Sequence, residues 1–322
     1  VAGTIGDLGE FGLIARVTAR FPHSDNVILG PGDDAALVAV PDGRAVATTD
    51  MLVEGRHFRY EWSSGWDVGH KAAAQNLADI AAMGARPTAL LLALAAPPDF
   101  PLDWIDAFAG GFGDECATAG AGVAGGDISA SETLTIAVTA MGDLAGRPAV
   151  RRDGARPGDT VAVTGNLGLS AAGLELLRAG LSEPRACLDE HRRPHPPYAQ
   201  GPAAADRGAT AMLDVSDGLL QDLAHIAHAS GAAIDLDPAA LDPGSDLRAA
   251  ADALAAAGGP VRDPATFLLG GGEDHALAAT FPPDAALPEQ WRRIGRVAAG
   301  SGVTVGGSSV SAAGWDHFRG VR

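Results

Sequence analysis

Apolar residues recur along this chain at two spacings, and the alternation between them outlines its elements. Phe11, Ile14, Val17 and Phe21 fall at helical spacing, and Pro22, which lacks an amide hydrogen, is expected to end that helix. Two strand-like runs follow, ALVAV (36 to 40) and AVATT (45 to 49), on either side of the turn-forming PDGR, which predicts a hairpin. In that reading Asp33 precedes the first strand and Asp50 ends the second. From Asp67 to Met83 the chain is alanine-rich and helical, and Gly84 suits a left-handed cap. Within this helix Asn76 and Asp79 are three apart and share a face. The strand TALLLALA, a helix around Trp104 to Thr118, the glycine-rich GVAGGD (122 to 127) and the alternating strand LTIAVTAMG (134 to 142) complete an α/β first half.

RRDGARPGDT (151 to 160) gathers charge, Gly and Pro, and a domain boundary is placed near it. The division is an N-terminal domain over residues 1–150 and a C-terminal domain over 151–322. The second half continues with the strand TVAVTG and a helix over Leu169 to Arg178, then a Pro/His/Arg-rich connection from Glu190 to Pro202. An apolar strand ending at Asp214 follows, then a helix from about Gly218, then GGGED (270 to 274) and a short tail containing WDHF.

Composition narrows the classes. With 322 residues, 47% of them hydrophobic, the chain can bury one large core or two modest ones, and two domains are expected. The longest apolar run, Ala89 to Ala96, is far short of the ~20 residues of a membrane-spanning helix, so the expectation is a soluble, cytoplasmic protein without membrane contact. Cys116 and Cys187 lack zinc-site spacing and are read as core or surface thiols. A formal net charge of −17, with a single lysine at Lys71, argues against nucleic acid as a partner, because phosphate backbones select clustered Lys and Arg.

The acidity leaves another use, which is holding cations. Asp33, Asp50, Asp127, Asp214, Asp217 and Glu273 each fall at a predicted strand end or in a glycine-bearing turn, where side chains can converge on a cleft. Oxygen-rich sets suit Mg²⁺, a hard ion that commonly bridges carboxylates to substrate phosphates. A Walker A loop is excluded, since no Gly-Lys-Ser/Thr occurs, and protein-kinase signatures are missing too. If ATP binds, its phosphates must be held mainly through metal ions. The glycines of GNLGLSAAG (165 to 173) could form a phosphate loop, but a strand-to-helix turn explains them equally well.

GEFGLIARV, GPGDDAAL, TTDMLVEGRHF, NLADIAAMGARP, GGD, GARPGD, DVSDGL and GGED, in this order across nearly the whole chain, resemble the thiamine-monophosphate kinases. These belong to an ATP-binding superfamily that includes aminoimidazole ribonucleotide synthetase and selenophosphate synthetase. Gly270, where Ser is common before GGED, and Ile128, where Thr is common after GGD, are small departures. The resemblance implies an N-terminal α/β half that contributes strands to a dimer-spanning barrel, and a C-terminal α+β domain, with ATP and several Mg²⁺ in the cleft between them. It implies transfer of the γ-phosphoryl group of ATP to thiamine monophosphate, giving thiamine diphosphate and ADP.

The metal ligands that the resemblance implies are Asp33, Thr48, Thr49, Asp50, Asp79, Asp127, Asp214 and Asp217. Thr48 and Thr49 are also ordinary strand residues, and only one of two neighbours can face a cleft unless a backbone oxygen serves. Asp79 also reads as part of a polar helix face near Lys71 and Gln75. For the nucleotide the implied contacts are Gly126, Asp127, Arg152 and Ser216, with Arg151 as the alternative to Arg152. For the thiamine moiety they are His57, Glu273 and Trp315, a carboxylate and an aromatic face being suited to a flat cation. No side chain stands out as a general base, and none is required, because the acceptor phosphate is already an anion. Two other readings stand beside this one: another ATP-using member of the superfamily with a different acceptor, and a non-enzymatic acidic metal-binding protein.

Overall fold

The structure, a computed structural model, describes residues 3–31 and 35–310. Asp33 and Trp315 lie outside the described residues. The chain divides into two compact units, one of Val1–Ile80 with Ala85–Gly146 and one of Ala81–Gly84 with Arg147–Arg322.

The first unit begins with α1 (Ile5–Thr18), started by a capping box in which Thr4 and Asp7 satisfy each other's backbone N–H groups. This helix stops at Thr18, before Pro22. A two-stranded ribbon pairs β1 (Val27–Leu29) with β2 (Leu37–Val38). There follow β3 (Val46–Val53), α2 (Gly65–Ala82), β4 (Arg86–Ala96), α3 (Leu102–Ala119), β5 (Gly122–Ala130) and β6 (Thr135–Asp143). Among the described residues they form a four-stranded sheet in the order β3-β6-β4-β5, with β4 and β5 parallel across the α3 crossover and the other pairs antiparallel.

The expected hairpin of residues 36–40 with 45–49 does not form. Residues 46–53 pair instead with 142–135 in an unbroken ladder, Val46 opposite Gly142 through Val53 opposite Thr135, which offers far more backbone bonds than a short local ribbon. Two positions shift accordingly. Asp50 lies inside β3, which runs on to Val53, and Asp127 lies inside β5, so neither is at a strand end.

Helices α2 and α3 close in to backbone contact. A Cβ on Gly69 would lie 2.0 Å from the Phe108 carbonyl oxygen, and one on Gly111 would lie 2.0 Å from that of Trp66. Between them the buried His70 Nδ1 sits 3.1 Å from the buried Glu115 carboxylate, with Trp66 stacked on the imidazole.

The second unit holds β7 (Thr160–Thr164), α4 (Leu169–Arg178), α5 (Arg185–Arg192), α6 (Gln200–Asp206), β8 (Ala211–Val215), α7 (Leu219–Ser230) and β9 (Ala233–Leu236). It continues with α8 (Gly244–Ala256), α9 (Ala265–Gly270), β10 (Ala276–Phe281), β11 (Arg292–Ala298), β12 (Gly302–Val305) and β13 (Ser308–Ser309). The stretch read as a Pro-rich connection, 190–202, is therefore helical at both ends, with Pro194, Pro196 and Pro197 in the break between α5 and α6 and Pro202 inside the first turn of α6. Among the described residues a seven-stranded sheet runs β13-β12-β9-β11-β7-β10-β8, antiparallel except for β9 with β12. Strands β7, β8 and β10 are buried along their full length, which is why they read as continuous apolar runs. Met212, Leu277, Phe281 and Trp291 form part of the core, with Phe281 and Trp291 edge to face at 5.3 Å. Both cysteines are buried free thiols, and burial raises the pKa of each. No helix among the described residues is long and apolar enough to cross a membrane.

Candidate active site

In the first unit the pleat of β3 separates the two threonines. Thr48 and Asp50 are half-buried and bond to α2: Thr48 Oγ1 donates to Asp79 Oδ2 at 2.7 Å, and the Asp50 N–H donates to Asn76 Oδ1 at 3.0 Å. Thr49 is exposed on the other face, where its hydroxyl donates to the Val138 carbonyl at 2.9 Å and accepts from Thr139 Oγ1 at 3.2 Å. Thr48, Asp50 and Asp79 therefore share one surface, and the Thr49 side chain does not reach it. Asn76 is fully buried, and its Nδ2 donates to the Ala72 carbonyl at 2.9 Å, so one turn of α2 staples the strand that carries Asp50.

Asp127 is exposed on β5 and, with Gly126, lines a largely apolar concavity of about 930 Å³ that also includes Leu13, Val17, Leu91 and Met141. Gly126 has a packing reason to be glycine, since a Cβ there would lie 1.7 Å from the Leu92 carbonyl oxygen. His57 is half-buried in the segment after β3. Its Nδ1 accepts the Val53 N–H at 3.0 Å, and Lys71 Nζ donates to its carbonyl oxygen at 3.3 Å.

In the second unit Asp214 lies one residue before the end of β8, only 5% exposed, with His275 Nδ1 3.2 Å from its Oδ2. After the strand, the N–H groups of Ser216, Asp217 and Gly218 all donate to one oxygen, Asp222 Oδ2, at 3.1, 3.0 and 3.0 Å. Asp222 is itself 4% exposed. Burial, together with the negative charges of Asp214 and Asp217, pushes its carboxyl up to about 7 against the pull of those donors.

The GGED turn meets this loop. Glu273 and His275 both take left-handed backbone angles, φ 61° and 52°, and their N–H groups donate to the Ser216 and Val215 carbonyls at 2.7 and 2.9 Å. Holding two non-glycine residues in that region costs conformational energy, and such residues cluster where a protein presents a side chain. Glu273 stays partly exposed, with His191 Nδ1 at 3.6 Å, and Ser170 Oγ lies 3.2 Å from the same nitrogen. Asp274 points inward and is fully occupied there: its oxygens take the N–H groups of Gly168 and Ser170 at 2.5 and 3.1 Å, at the start of α4. Burial raises its carboxyl to about 8 even so. The glycine-rich turn 165–173 is thus filled by the protein's own carboxylate, which favours the structural reading of its glycines over a phosphate loop.

The two arginine candidates also differ. Arg151 pairs with Asp153, while Arg152 contributes its carbonyl oxygen to Ser230 Oγ at 2.9 Å, and both side chains are exposed. Asp222, Asp274 and His275 escaped the sequence reading. Asp222 had one available signal, its place four residues after a glycine that opens a helix.

Known proteins resemble this chain in sequence and in fold. Residues 32–144 match the model of the AIR synthase related protein N-terminal domain, and residues 156–308 match that of the C-terminal domain. The thiamine-monophosphate kinase of Mycobacterium tuberculosis is 48% identical over 318 residues, covering 98% of this chain and 93% of the relative. The chain belongs to the thiamine-monophosphate kinase family. The crystal structure of the family member from Stenotrophomonas maltophilia K279a is 36% identical with a TM-score of 0.79, covering 94% of this chain and 98% of that one. AaThiL complexed with AMPPCP and TMP is 35% identical with the same TM-score, covering 97% and 98%.

Proposed function

We propose that this thiamine-monophosphate kinase family member transfers the γ-phosphoryl group of ATP directly to the phosphate of thiamine monophosphate, giving thiamine diphosphate and ADP. The observation that carries this reading is the 48% identity to the Mycobacterium tuberculosis enzyme over 98% of the chain. AaThiL, complexed with AMPPCP and TMP, supports the same pair of substrates.

The donor set fits Mg²⁺. Burial and the negative charges of Asp214 and Asp217 raise the proton affinity of Asp222 in the second unit, a repulsion that a divalent ion offsets, and the oxygen atoms of Thr48, Asp50 and Asp79 are equally hard ligands. When bound, Mg²⁺ supplies charge neutralisation between phosphate groups. The residues assigned to hold it are Asp33, Thr48, Asp50, Asp79 and Asp127 in the first unit and Asp214 and Asp217 in the second, with Thr49 serving through its backbone oxygen. Gly126 and Asp127 place apolar surface and a carboxylate beside the nucleotide, and Ser216 contacts it. Arg152 neutralises ATP phosphate oxygens, a role that its neighbour leaves to it by pairing with Asp153.

His57, Glu273 and Trp315 are assigned to the thiamine moiety. The strained turn that carries Glu273 holds this carboxylate at a fixed angle, suited to an attraction for the cationic ring. No proton need be removed from the acceptor, so the residues act by alignment, and no general base is assigned. The functional protein is a homodimer built through the first unit, whose β3 edge exposes Met51 and whose ribbon exposes Ile28, Leu29 and Leu37.

The test is incubation with ATP, Mg²⁺ and thiamine monophosphate, followed by separation of thiamine phosphates. Thiamine diphosphate formed in step with ADP is expected. ADP released only with another acceptor would move the chain to a different member of the superfamily. Sedimentation tests the assembly, and a monomer at every concentration would remove the dimer.

A further inference from the structure

Asp222 belongs to neither the assigned metal set nor the substrate contacts, yet it is the most heavily engaged carboxylate beside them. Its Oδ2 takes three consecutive backbone N–H groups, those of Ser216, Asp217 and Gly218. We propose that Asp222 is a positioning residue: it shapes the 216–218 loop and thereby sets where Ser216 and Asp217 present their side chains to nucleotide and metal. This rests on the assignment of those two residues in the proposed kinase reaction.

Three observations carry it. Successive N–H groups converge on one point only when the chain curls into a concave nest, which otherwise attracts an outside anion. Here the anion is internal and buried, supplied from the first turn of α7. The curl needs glycine at its end: Gly218 has φ 128°, and a Cβ there would lie 2.8 Å from the Gly270 carbonyl oxygen, so no side chain can relax the turn. The same loop is bonded from the other side by the Glu273 N–H to the Ser216 carbonyl at 2.7 Å, and Asp217 accepts from Gln221 Nε2 at 3.2 Å. Loss of the internal anion would free three donors in a buried place and release the curl.

An oxygen carrying three donors has no lone pair left for a cation. Asp222 therefore acts through Asp217 and Ser216 and does not ligate the metal through that oxygen.

The test is Mn²⁺ binding, followed by the EPR signal of the free ion, to the full chain with a non-hydrolysable ATP analogue present. No turnover is needed. Asp222→Leu removes the acceptor at similar volume, and Mn²⁺ affinity is expected to fall about 10-fold, as for other partners that orient metal ligands. Asp222→Asn keeps a neutral oxygen that accepts the same N–H groups, and it is expected to bind Mn²⁺ like wild type. A direct ligand would show the opposite pattern, with Asn as damaging as Leu, and that result overturns the proposal. So does wild-type affinity in Asp222→Leu. If the Leu variant does not fold, Asp222→Ala, which favours the helix, takes its place. Asp217→Asn separates the two levels. If it weakens Mn²⁺ binding while Asp222→Leu does not, only the positioning role falls. If it leaves Mn²⁺ binding unchanged, the metal role of Asp217 falls and takes this proposal with it.

Discussion

Asp79 in the first unit is half-buried and takes a hydroxyl hydrogen bond from Thr48, whereas Asp222 and Asp274 in the second unit are buried and take three and two backbone N–H groups. The first unit places its candidate carboxylates Asp50, Asp79 and Asp127 on regular elements, β3, α2 and β5, and leaves them within reach of solvent. Asp222 and Asp274 instead shape the loops that present Ser216, Asp217 and Glu273. A carboxylate open to water can exchange that water for a cation at little cost. One consumed by the backbone is part of the scaffold, and its loss leaves buried donors without partners. The same residue type thus serves two purposes, and the number and kind of its donors separates them.

The sharpest way to break this comparison is to neutralise the presenting carboxylates. Asp50→Asn, Asp127→Asn and Asp214→Asn should each lower kcat by about 100-fold or more, since misplacing the reacting groups by about 1 Å costs that much. Circular dichroism should show the fold retained. Near-wild-type turnover in all three folded variants would remove the metal-holding role from both units.

A smaller effect sharpens the contrast between an engaged and an available side chain. Arg152→Met should raise the KM for ATP by about 10-fold or more, because hydrogen bonds to charged groups are worth about 1.5–3 kcal/mol. Arg151→Met should change it little, since that guanidinium already pairs with Asp153 at the surface, where such pairs contribute little to stability. The reverse result would exchange their roles.

The scaffold carboxylates should reveal themselves through pH. Asp274 has its proton affinity raised in the fold, to about 8 from 3.8. The folded chain therefore holds a proton there that the unfolded chain has already lost. Its stabilising contribution is complete below about pH 4 and is lost as pH rises towards 8, by at most about 1.4 kcal/mol per pH unit. Asp274→Asn should flatten this slope in denaturant unfolding followed between pH 5 and 8. An unchanged slope would mean that Asp274 is ionised in the fold throughout.

Regular elements were legible where one periodicity dominated. The helix Leu169–Arg178 and the strands β4, β6, β7 and β8 lie close to where their patterns place them. The hairpin 36–49 was misread because local turn chemistry at PDGR says nothing about the partner strand almost ninety residues further on. Among site residues, Asn76 and Asp79 were paired by spacing alone, and the structure turns both towards β3.

The sequence by itself determined the family, those helices and strands that a single periodicity marks, the absence of a Walker loop, and the carboxylates, glycines and threonines available for phosphate chemistry. These depend on residue identity and short spacing, both written along the chain. Tertiary structure alone decided that Thr48 and Thr49 face opposite ways, that Asp274 fills the start of α4, and that Asp222 gathers three N–H groups from the 216–218 loop. The reason is that a carboxylate's role depends on which donors surround it and how much water it keeps. Those are set by residues such as Gly168, about a hundred positions from the Asp274 that they engage.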